Sequence, residues 1–378
     1  MNSLSADQSR LSILKGILRI LAKQLWLMTP NLAVRRCFQE KEMKYVPLGS
    51  SGLAVSRLCL GTMLFNGETE ISLHRATCMS IIDAFLDAGG NYLDTADAYG
   101  DGASEQVLGE ALNGRRDSVV IATKAGARFG GDPWNPRAGL SRHAVRSAIE
   151  GSLRNLKTDY IDLWYIHGPD RLTPIDETIR GIEDALRDGK IRAVGFSNLP
   201  PWQAAEFVLK APFAVSAAQY QYSLVCREIE EDYFDAFARH NLVLHAWGPL
   251  GQGFLTGRYS RDAMPEDGRV TMAGEDYEEH VSRRATRQNW QLIDAMREMA
   301  KARNVPMARL AIAWVLARPI ETVTIAGPKS TSQLNDLAPA TDLQLSEDEI
   351  ATLDRLSAPP VGYPQRVIDV YFDRALAA

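Results

Sequence analysis

The sequence lacks the features that mark several large classes of protein. Its 378 residues include only four cysteines, Cys37, Cys59, Cys78 and Cys226, and these form no CxxC pair and no metal-ligand spacing. A disulfide-stabilised scaffold is therefore excluded, and we expect reduced thiols and a cytoplasmic location. No GxGxxG motif follows an early strand, which removes the usual fingerprint of a Rossmann dinucleotide-binding fold.

Charge and composition exclude a second group of roles. The 42 basic and 47 acidic residues give a net charge of −5 at pH 7, so the chain has no overall positive field that would attract nucleic acid. Hydrophobic residues at 46% and charged residues at 24% are typical of a globular protein with a large core. The length allows two average domains or one α/β barrel.

No stretch is both long enough and uncharged enough to span a membrane, since the most apolar one, residues 11–28, is interrupted by charges. Its apolar residues recur at helical spacing up to Pro30, which predicts an amphipathic helix. A secretory signal is excluded because no small-residue cleavage site follows. Three interpretations of residues 10–28 stay open: a helix in a membrane surface, a helix docked on the protein or a dimer partner, and a transit peptide. The basic residues of this segment are Arg10, Lys15, Arg19 and Lys23.

From Met43 onward, short apolar runs alternate with helical segments over about 290 residues, which is typical of parallel strands joined by helical crossovers. We predict strands at Arg57–Leu60, Asn91–Asp94, Ser118–Thr123, Tyr160–Ile166, Ile191–Phe196, Val215–Gln219, Leu242–Ala246 and Thr322–Ile325. We predict helices at Ser72–Ala88, Glu105–Leu112, Arg142–Leu156, Ile175–Arg187, Pro201–Leu209, Glu228–Arg239 and Met307–Ala317. Eight such strands favour a closed α/β barrel, a (β/α)8 TIM barrel, over an open sheet.

Six consecutive predicted strands end in polar or aromatic residues. In a barrel of this kind, catalytic side chains gather at the carboxyl ends of the strands. Each residue alone has an ordinary explanation, such as a helix cap, a surface ion pair or a buried histidine in the core. Six in succession favour a site, and these residues are Asp94, Lys124, His167, Ser197 with Asn198, Gln219 and Trp247.

Tyr99 follows Asp94 closely and completes a set suited to proton transfer. A tyrosine with an ordinary pKa is a poor acid at neutral pH, but a nearby Lys124 ammonium would lower that pKa. Asp94 would keep the lysine charged, and a neutral His167 could donate to a carbonyl oxygen.

These residues, with the motifs around them, resemble those of the aldo-keto reductase family over roughly residues 44–357. The matching motifs are LGTM at 60–63, NYLDTADAYG at 91–100, VIATKAG at 120–126, DLWYIHGPD at 162–170, GKIRAVGFSN at 189–198, QYQYSL at 219–224, WGPLGQGFLTGRY at 247–259 and IAGPKSTSQL at 325–334. The longer-chain branch, with potassium-channel β-subunits and bacterial ketone or sugar reductases, is the most similar. The resemblance implies an N-terminal hairpin over Lys44–Arg57 beneath the barrel, and no metal. It divides the chain into an extension at 1–43, a barrel at 44–357 and a tail at 358–378.

The resemblance also implies a function: hydride transfer from NADPH to an aldehyde or ketone. Tyr99 would be the general acid, Lys124 would lower its pKa, Asp94 would pair with Lys124, and His167 would orient the carbonyl. The alternative is a regulatory or scaffolding subunit that binds NADPH, turns over little and is attached through the N-terminal helix. A homo-oligomer is a further expectation.

Cofactor contacts are implied in the same way. Near the nicotinamide they involve Thr62, Met63, Asp94, Ser197, Asn198, Gln219 and Trp247. Near the pyrophosphate they involve Gly248, Pro249, Leu250, Gln252, Gly253 and Arg258. Near the 2′-phosphate and adenine they involve Gly327, Lys329, Gln333 and Asp336. The chain departs from the family at Leu337, where an asparagine is usual, and at Gly248, where a serine is usual.

Substrate choice is expected to lie in loops over the barrel mouth. Phe65, Phe129 and Trp134 could supply an aromatic wall there, although packing within the loops would explain each of them equally well. An acidic insertion at Met264–His280 could cover the cofactor. The residues do not name the carbonyl compound.

Overall fold

Runs of Val, Ile, Leu and Ala form the strands of the protein. The structure is a computed structural model, and it describes residues 43–65, 72–127, 134–262, 264–266, 268–272, 274 and 280–372. The strands are β1 (Tyr45–Pro47), β2 (Ala54–Ser56), β3 (Leu58–Gly61), β4 (Tyr92–Asp94), β5 (Val120–Ala125), β6 (Ile161–Ile166), β7 (Ile191–Ser197), β8 (Val215–Gln221), β9 (Val243–Trp247) and β10 (Thr322–Ala326). Strands β3 to β10 pair in parallel in chain order, and β10 pairs back with β3. The predicted eight-stranded TIM barrel is therefore confirmed, with each strand end within about two residues of its prediction.

The predicted N-terminal hairpin is present. Strands β1 and β2 pair antiparallel, with Tyr45 opposite Ser56. Val46, Leu48 and Val55 join the cluster of buried side chains inside the barrel. The hairpin therefore closes one end of the barrel and leaves the carboxyl ends of the strands as its open mouth.

Helices follow most of the barrel strands and cover its outer face with apolar residues. The helices are α1 (Arg75–Asp87), α2 (Ala103–Ala111), α3 (Arg142–Leu156), α4 (Ile175–Arg187), α5 (Pro201–Lys210), α6 (Ile229–Arg239), α7 (Arg269–Met272), α8 (Val281–Arg284), α9 (Arg287–Arg303), α10 (Met307–Leu316), α11 (Thr331–Leu337), α12 (Glu347–Ser357) and α13 (Gln365–Tyr371). Short 3-10 helices lie at Arg116–Ser118, Gly251–Thr256 and Ala338–Thr341. Helices α3 and α4 have the predicted bounds.

Two helices that the sequence analysis missed carry clear starting signals. The Thr286 side chain accepts from the backbone N–H of Asn289 and caps α9. Ser346 and Glu349 form a reciprocal capping box at the start of α12. Most residues of α9 are polar, which hid the apolar face that it packs against α10 and α12.

The structure leaves two sequence predictions untested. Residues 10–28 and Phe129 lie outside the described residues. Among the helices that the structure describes, none is long and apolar enough to cross a membrane.

Helices α2 and α3 cross at a glycine, and this contact generates a stability prediction. A Cβ atom on Gly109 would lie 2.6 Å from the backbone oxygen of Asn155. We expect Gly109→Ala to lower the free energy of unfolding by about 1–3 kcal/mol, because backbone atoms cannot move aside as a side chain can. Chemical denaturation measures the change.

Gly151, within α3, is the matched control. The nearest atom that its Cβ would meet is Nη2 of Arg154, at 3.9 Å. Gly151→Ala should therefore stabilise the protein by about 0.5–1 kcal/mol, through the entropy that alanine does not lose on folding. Similar effects of both substitutions would contradict the close contact at Gly109.

Candidate active site

A buried lysine joins the residues at the centre of the barrel mouth. Nζ of Lys124 donates to Oδ1 of Asp94 at 2.5 Å, to the backbone oxygen of Thr95 at 2.7 Å and to the hydroxyl of Tyr99 at 3.1 Å. An ammonium group has three N–H donors, so these contacts account for all of them. The lysine has no exposed surface. Its charge is therefore compensated within the site.

Backbone pairing that continues past the end of β4 holds Tyr99 over this lysine. The Thr95 N–H donates to the oxygen of Ala122 at 2.9 Å, and the Asp97 N–H donates to the oxygen of Lys124 at 3.1 Å. The chain then turns, which brings the Tyr99 hydroxyl to Lys124. Parallel register at the strand ends thus places two sequence-distant side chains together.

His167 follows β6 and lies beside the tyrosine. Its backbone N–H donates to the backbone oxygen of Ala125 at 2.9 Å. Its ring packs edge to face against the ring of Tyr99, with the two centroids 5.8 Å apart. Burial, with a smaller contribution from the Lys124 charge, lowers the pKa of His167 to about 3. The imidazole is therefore neutral at physiological pH.

Burial and the nearby charges act in opposite directions on the pKa of each of the other three residues. It raises the pKa of Asp94, and Lys124 opposes that rise. It also raises the pKa of Tyr99, whereas the Lys124 charge and hydrogen bond lower it. Burial lowers the pKa of Lys124, but the attraction of Asp94 and Tyr99 outweighs this and holds the pKa above its ordinary value. The pKa of Tyr99 therefore lies above its ordinary value, opposite to the lowering expected from the sequence, because burial of the phenol outweighs the effect of Lys124.

Several polar residues of the site were missed by the sequence analysis. The Ser104 hydroxyl contacts those of Thr62, at 2.8 Å, and Thr95, at 2.9 Å. Glu105 is fully buried and accepts from the hydroxyl of Thr123 at 2.6 Å. Both lie in the first turn of α2, which faces β5. A serine and an acid in a first turn are common helix features, so their pattern carried no separate signal.

Residues predicted to lie near the nicotinamide form one connected group. Trp247 Nε1 donates to Asn198 Oδ1 at 3.3 Å, and Asn198 Nδ2 donates to Ser197 Oγ at 2.9 Å. Ser197 Oγ donates to the backbone oxygen of Gln219 at 2.8 Å. Gln219 Nε2 donates to Asp94 Oδ2 at 2.8 Å. The group therefore extends from the tryptophan to the buried ion pair.

The loop after β9 has a backbone that suits a close approach by a ligand. Gly248 and Gly253 have φ angles of +65° and +97°, which L side chains rarely adopt. Pro249 and Leu250 lie between them. In the part of the chain that the structure describes, the buried Oε1 of Gln252 has no hydrogen-bond partner. A donor on the ligand, such as a ribose hydroxyl, would satisfy this amide oxygen, and the two glycines allow a pyrophosphate to approach the backbone closely, so the residues fit a dinucleotide.

The predicted 2′-phosphate and adenine residues lie around the start of α11. Lys329 is exposed, and its backbone N–H donates to Oε1 of Gln333 at 2.8 Å. The Ser330 side chain caps the helix by accepting from the Gln333 N–H at 3.2 Å. Asp336 is exposed one turn further on. The lysine side chain therefore extends from a fixed backbone.

The remaining predicted residues lie nearer the surface, with one exception. Met63 is 42% exposed and Trp134 is 81% exposed, whereas Phe65 is 1% exposed and packs in the core between barrel and helices. Phe65 therefore offers almost no surface to a ligand in this conformation. Gly327 and Arg258 are both exposed.

Among the described residues, no group of three or more His, Cys, Asp or Glu side chains could hold a metal ion. What the mouth does assemble is a phenol, an ammonium, a carboxylate and a neutral imidazole, a tetrad-like network suited to transferring a proton to a bound oxygen.

Comparison with known proteins shows which family the sequence matches. The sequence pattern of the Aldo/keto reductase family matches residues 57–358. The chain is 33% identical to aldo-keto reductase YhdN of Bacillus subtilis, over 85% of this chain and 96% of that protein. It is 32% identical to a probable voltage-gated potassium channel subunit beta of Arabidopsis thaliana, over 80% and 92% of the two chains.

A solved structure agrees with the fold. Aldo-keto reductase AKR11C1 from Bacillus halodurans, in its holo form, superposes with a TM-score of 0.69 at 32% identity, covering 86% of this chain and 99% of that one. The channel subunits and bacterial reductases were the branch that the motifs indicated, and that prediction is confirmed. The chain belongs to the aldo/keto reductase family of oxidoreductases.

Proposed function

We propose that the protein reduces an aldehyde or ketone to an alcohol with NADPH, and that Tyr99 is the general acid. Members of the family use NAD(P)H, and one similar structure is a holo form. The observation that carries the proposal is the 3.1 Å contact between the Tyr99 hydroxyl and a buried Lys124 that Asp94 keeps charged. A structural lysine would not need to donate to a phenol at the mouth of a barrel.

The residues divide the chemistry between them. The bound nicotinamide cofactor supplies the hydride. Tyr99 donates its proton to the carbonyl oxygen, and Lys124 stabilises the phenolate left behind. His167 stays neutral and donates to the same oxygen. Asp94 keeps Lys124 protonated and fixes its position.

For the cofactor, we propose that the connected group from Ser197 to Trp247 holds the nicotinamide end. Gln252 and the adjoining glycines would hold the pyrophosphate, and Lys329 would pair with the 2′-phosphate, since a phosphate attracts an exposed ammonium. Trp134, on an exposed loop, is the proposed substrate contact. Phe65 and Phe129 stay predictions.

The second candidate function is a regulatory subunit with little turnover. The match to channel β-subunits favours it. A stopped-flow measurement of bound NADPH mixed with a panel of carbonyl compounds separates the two candidates. Oxidation of the NADPH within single turnovers supports the reductase, whereas unchanged NADPH with every compound supports the regulatory subunit.

We further propose that residues 10–28 attach the protein to an anionic membrane surface. Their apolar face would enter the headgroup boundary while the basic residues stay in water. A docked helix and a transit peptide are the competing interpretations. The cytoplasmic location, the homo-oligomer and the division of the chain near residues 43 and 357 also stay predictions.

Removal of one hydroxyl tests the general acid. Tyr99→Phe should lower kcat by at least about 100-fold, because general acids contribute about 10²- to 10⁴-fold. NADPH affinity should change little, since the hydroxyl acts mainly in the transition state. Fluorescence titration and steady-state kinetics measure the two effects. Tyr160→Phe, which removes a hydroxyl outside the mouth, is the control. Retention of more than about a tenth of kcat would exclude Tyr99 as the acid.

Cofactor preference tests Lys329. Lys329→Ala should weaken NADPH binding by about 1.5–3 kcal/mol, the range for a hydrogen bond to a charged group, and leave NADH binding nearly unchanged. Dissociation constants for both cofactors measure the difference. Lys301→Ala, an exposed lysine on α9, should change neither. Equal losses for both cofactors would mean that Lys329 supports the fold instead.

Vesicle sedimentation tests the N-terminal segment. The full chain should sediment with anionic vesicles, since each basic residue near such a surface contributes about 1 kcal/mol, and a chain beginning at Lys44 should not. Binding should weaken as salt is raised. Replacing all four basic residues of the segment by glutamine should also abolish sedimentation, without changing activity on a soluble carbonyl. If the full chain stays in the supernatant and the shortened chain loses solubility or its oligomeric state, the segment is a packing element.

A further inference from the structure

A single carboxylate joins two loops at the barrel mouth. Oδ2 of Asp170 accepts from the backbone N–H of Leu140 at 2.8 Å and from the hydroxyl of Thr173 at 2.7 Å. Its Oδ1 accepts from the backbone N–H of Leu172 at 2.9 Å. Leu140 lies in the loop after β5, whereas Asp170 and its other two partners follow β6. The mechanism proposed above uses none of these contacts.

The carboxylate that joins the loops is ionised at neutral pH. Burial raises the pKa of Asp170, but the hydrogen bonds from Thr173, Leu172 and Leu140 outweigh burial and hold the pKa below its ordinary value. A hydrogen bond to a charged acceptor is stronger than one to a neutral acceptor. The connection between the two loops is therefore charge-assisted.

The loop after β5 has a glycine where it meets this carboxylate. Gly139 has a φ angle of +78°, which L side chains rarely adopt, and a Cβ atom there would overlap Oδ2 of Asp170. That oxygen cannot move aside without giving up its hydrogen bonds to Leu140 and Thr173. Backbone conformation and available space therefore both favour glycine at this point of the contact.

Leu140 also connects its loop to the strand that carries Lys124. Its side chain packs over Gly126, where a Cβ atom would lie 2.6 Å from Cδ2 of Leu140. Gly126 comes two residues after Lys124. The backbone oxygen of Leu140 accepts from the buried hydroxyl of Thr178, on α4, at 2.9 Å. One end of the segment of residues 134–140 is therefore fixed close to the catalytic lysine.

The other end of this segment carries Trp134, the proposed substrate contact. Asn135 closes a turn behind it. Its backbone oxygen accepts from the N–H of Ala138 at 2.8 Å, and its Oδ1 accepts from the N–H of Arg137 at 3.0 Å. Because this turn shortens the path from Trp134 to Leu140, the place of the tryptophan at the mouth depends on where Leu140 is held.

We propose that Asp170 is a positioning residue for substrate specificity, because it holds the segment of residues 134–140 against the loop that carries His167. The inference rests on the proposed function, in which Tyr99 and His167 meet the carbonyl oxygen. The segment would instead contact the remainder of the compound. Asp170 therefore acts through Leu140 on an aldehyde or ketone with a large aromatic body, and has little influence on a small aldehyde.

Asp170→Asn tests this role from the side of the loop after β6. The amide is uncharged, and whichever way it turns, its NH2 group replaces one of the two acceptors. We expect kcat/KM for naphthaldehyde to fall by about 10-fold, mainly through KM, since a hydrogen bond to a charged group contributes at least that factor. For propanal, kcat/KM should stay within about 2-fold of the wild-type value, because it has no body for the segment to contact.

Thr173→Val is the matched control for Asp170→Asn. It removes a donor to the same oxygen of Asp170 but leaves the contact with Leu140. The ratio of the two kcat/KM values should stay within about 2-fold of the wild-type ratio, as is usual for a substitution away from the critical contact. The dissociation constant of NADPH should be unchanged in both variants.

Gly139→Ala tests the same contact from the side of the loop after β5. Its control is Gly114→Ala, at a glycine with a φ angle of +75° and no atom within 4 Å of the added Cβ, which reproduces the backbone strain without the overlap. Gly139→Ala should lower the ratio for naphthaldehyde over propanal, and Gly114→Ala should not. Combined with Asp170→Asn, it should cost less than the product of the two single losses, since both act on one contact.

Hydrogen–deuterium exchange measures the contact without turnover. The Leu140 amide should exchange faster in Asp170→Asn and Gly139→Ala, and at the wild-type rate in the two control variants. Unchanged exchange, or equal losses of kcat/KM for naphthaldehyde and propanal, would mean that Asp170 does not set specificity. If the wild type oxidises NADPH with no carbonyl compound, the proposed function is wrong and the specificity role fails with it, whereas faster exchange of Leu140 would still establish the contact.

Discussion

The site depends on the burial of one charged pair. Lys124 and Asp94 are removed from water, and an unpaired charge there would lose several kcal/mol of solvation or would neutralise itself. Each partner therefore requires the other, and each makes a further hydrogen bond in the site. Lys124 donates to the Tyr99 hydroxyl, and Asp94 accepts from the Gln219 amide. The chemistry that we propose uses the charge that this pairing preserves.

Barrel closure makes the pairing possible. The parallel register places the carboxyl ends of β4, β5 and β6 side by side, so residues far apart in sequence share one edge. The hairpin fills the opposite end with Val46, Leu48 and Val55. A ligand can therefore approach from the mouth only, and the interior between mouth and hairpin becomes a layer of buried side chains. Tyr165 and His245 belong to that layer.

Residue patterns predicted the barrel strands better than the helices and loops around them. Alternation of apolar runs and helices, together with polar residues at successive strand ends, indicated the fold and placed Asp94, Lys124 and His167 at one edge. Helix α9 was missed because its polar surface dilutes the apolar spacing. Ser104 was missed because a serine in a first helical turn is ordinary, and only the approach of α2 to β3 brings it to Thr62. Phe65 was expected at the mouth and is buried, because loop residues can turn either way.

The sequence by itself determined the alternation of elements and the family, because apolar periodicity and local motifs are properties of short stretches, and the resemblance to the family implied the hairpin. It could not determine the balance of charges, since desolvation depends on what surrounds a group in three dimensions. Burial raises the pKa of Tyr99 against the effect of Lys124, and it keeps His167 and His245 neutral. Only the tertiary structure decided these protonation states, because only packing across the barrel removes water from side chains that lie far apart in the sequence.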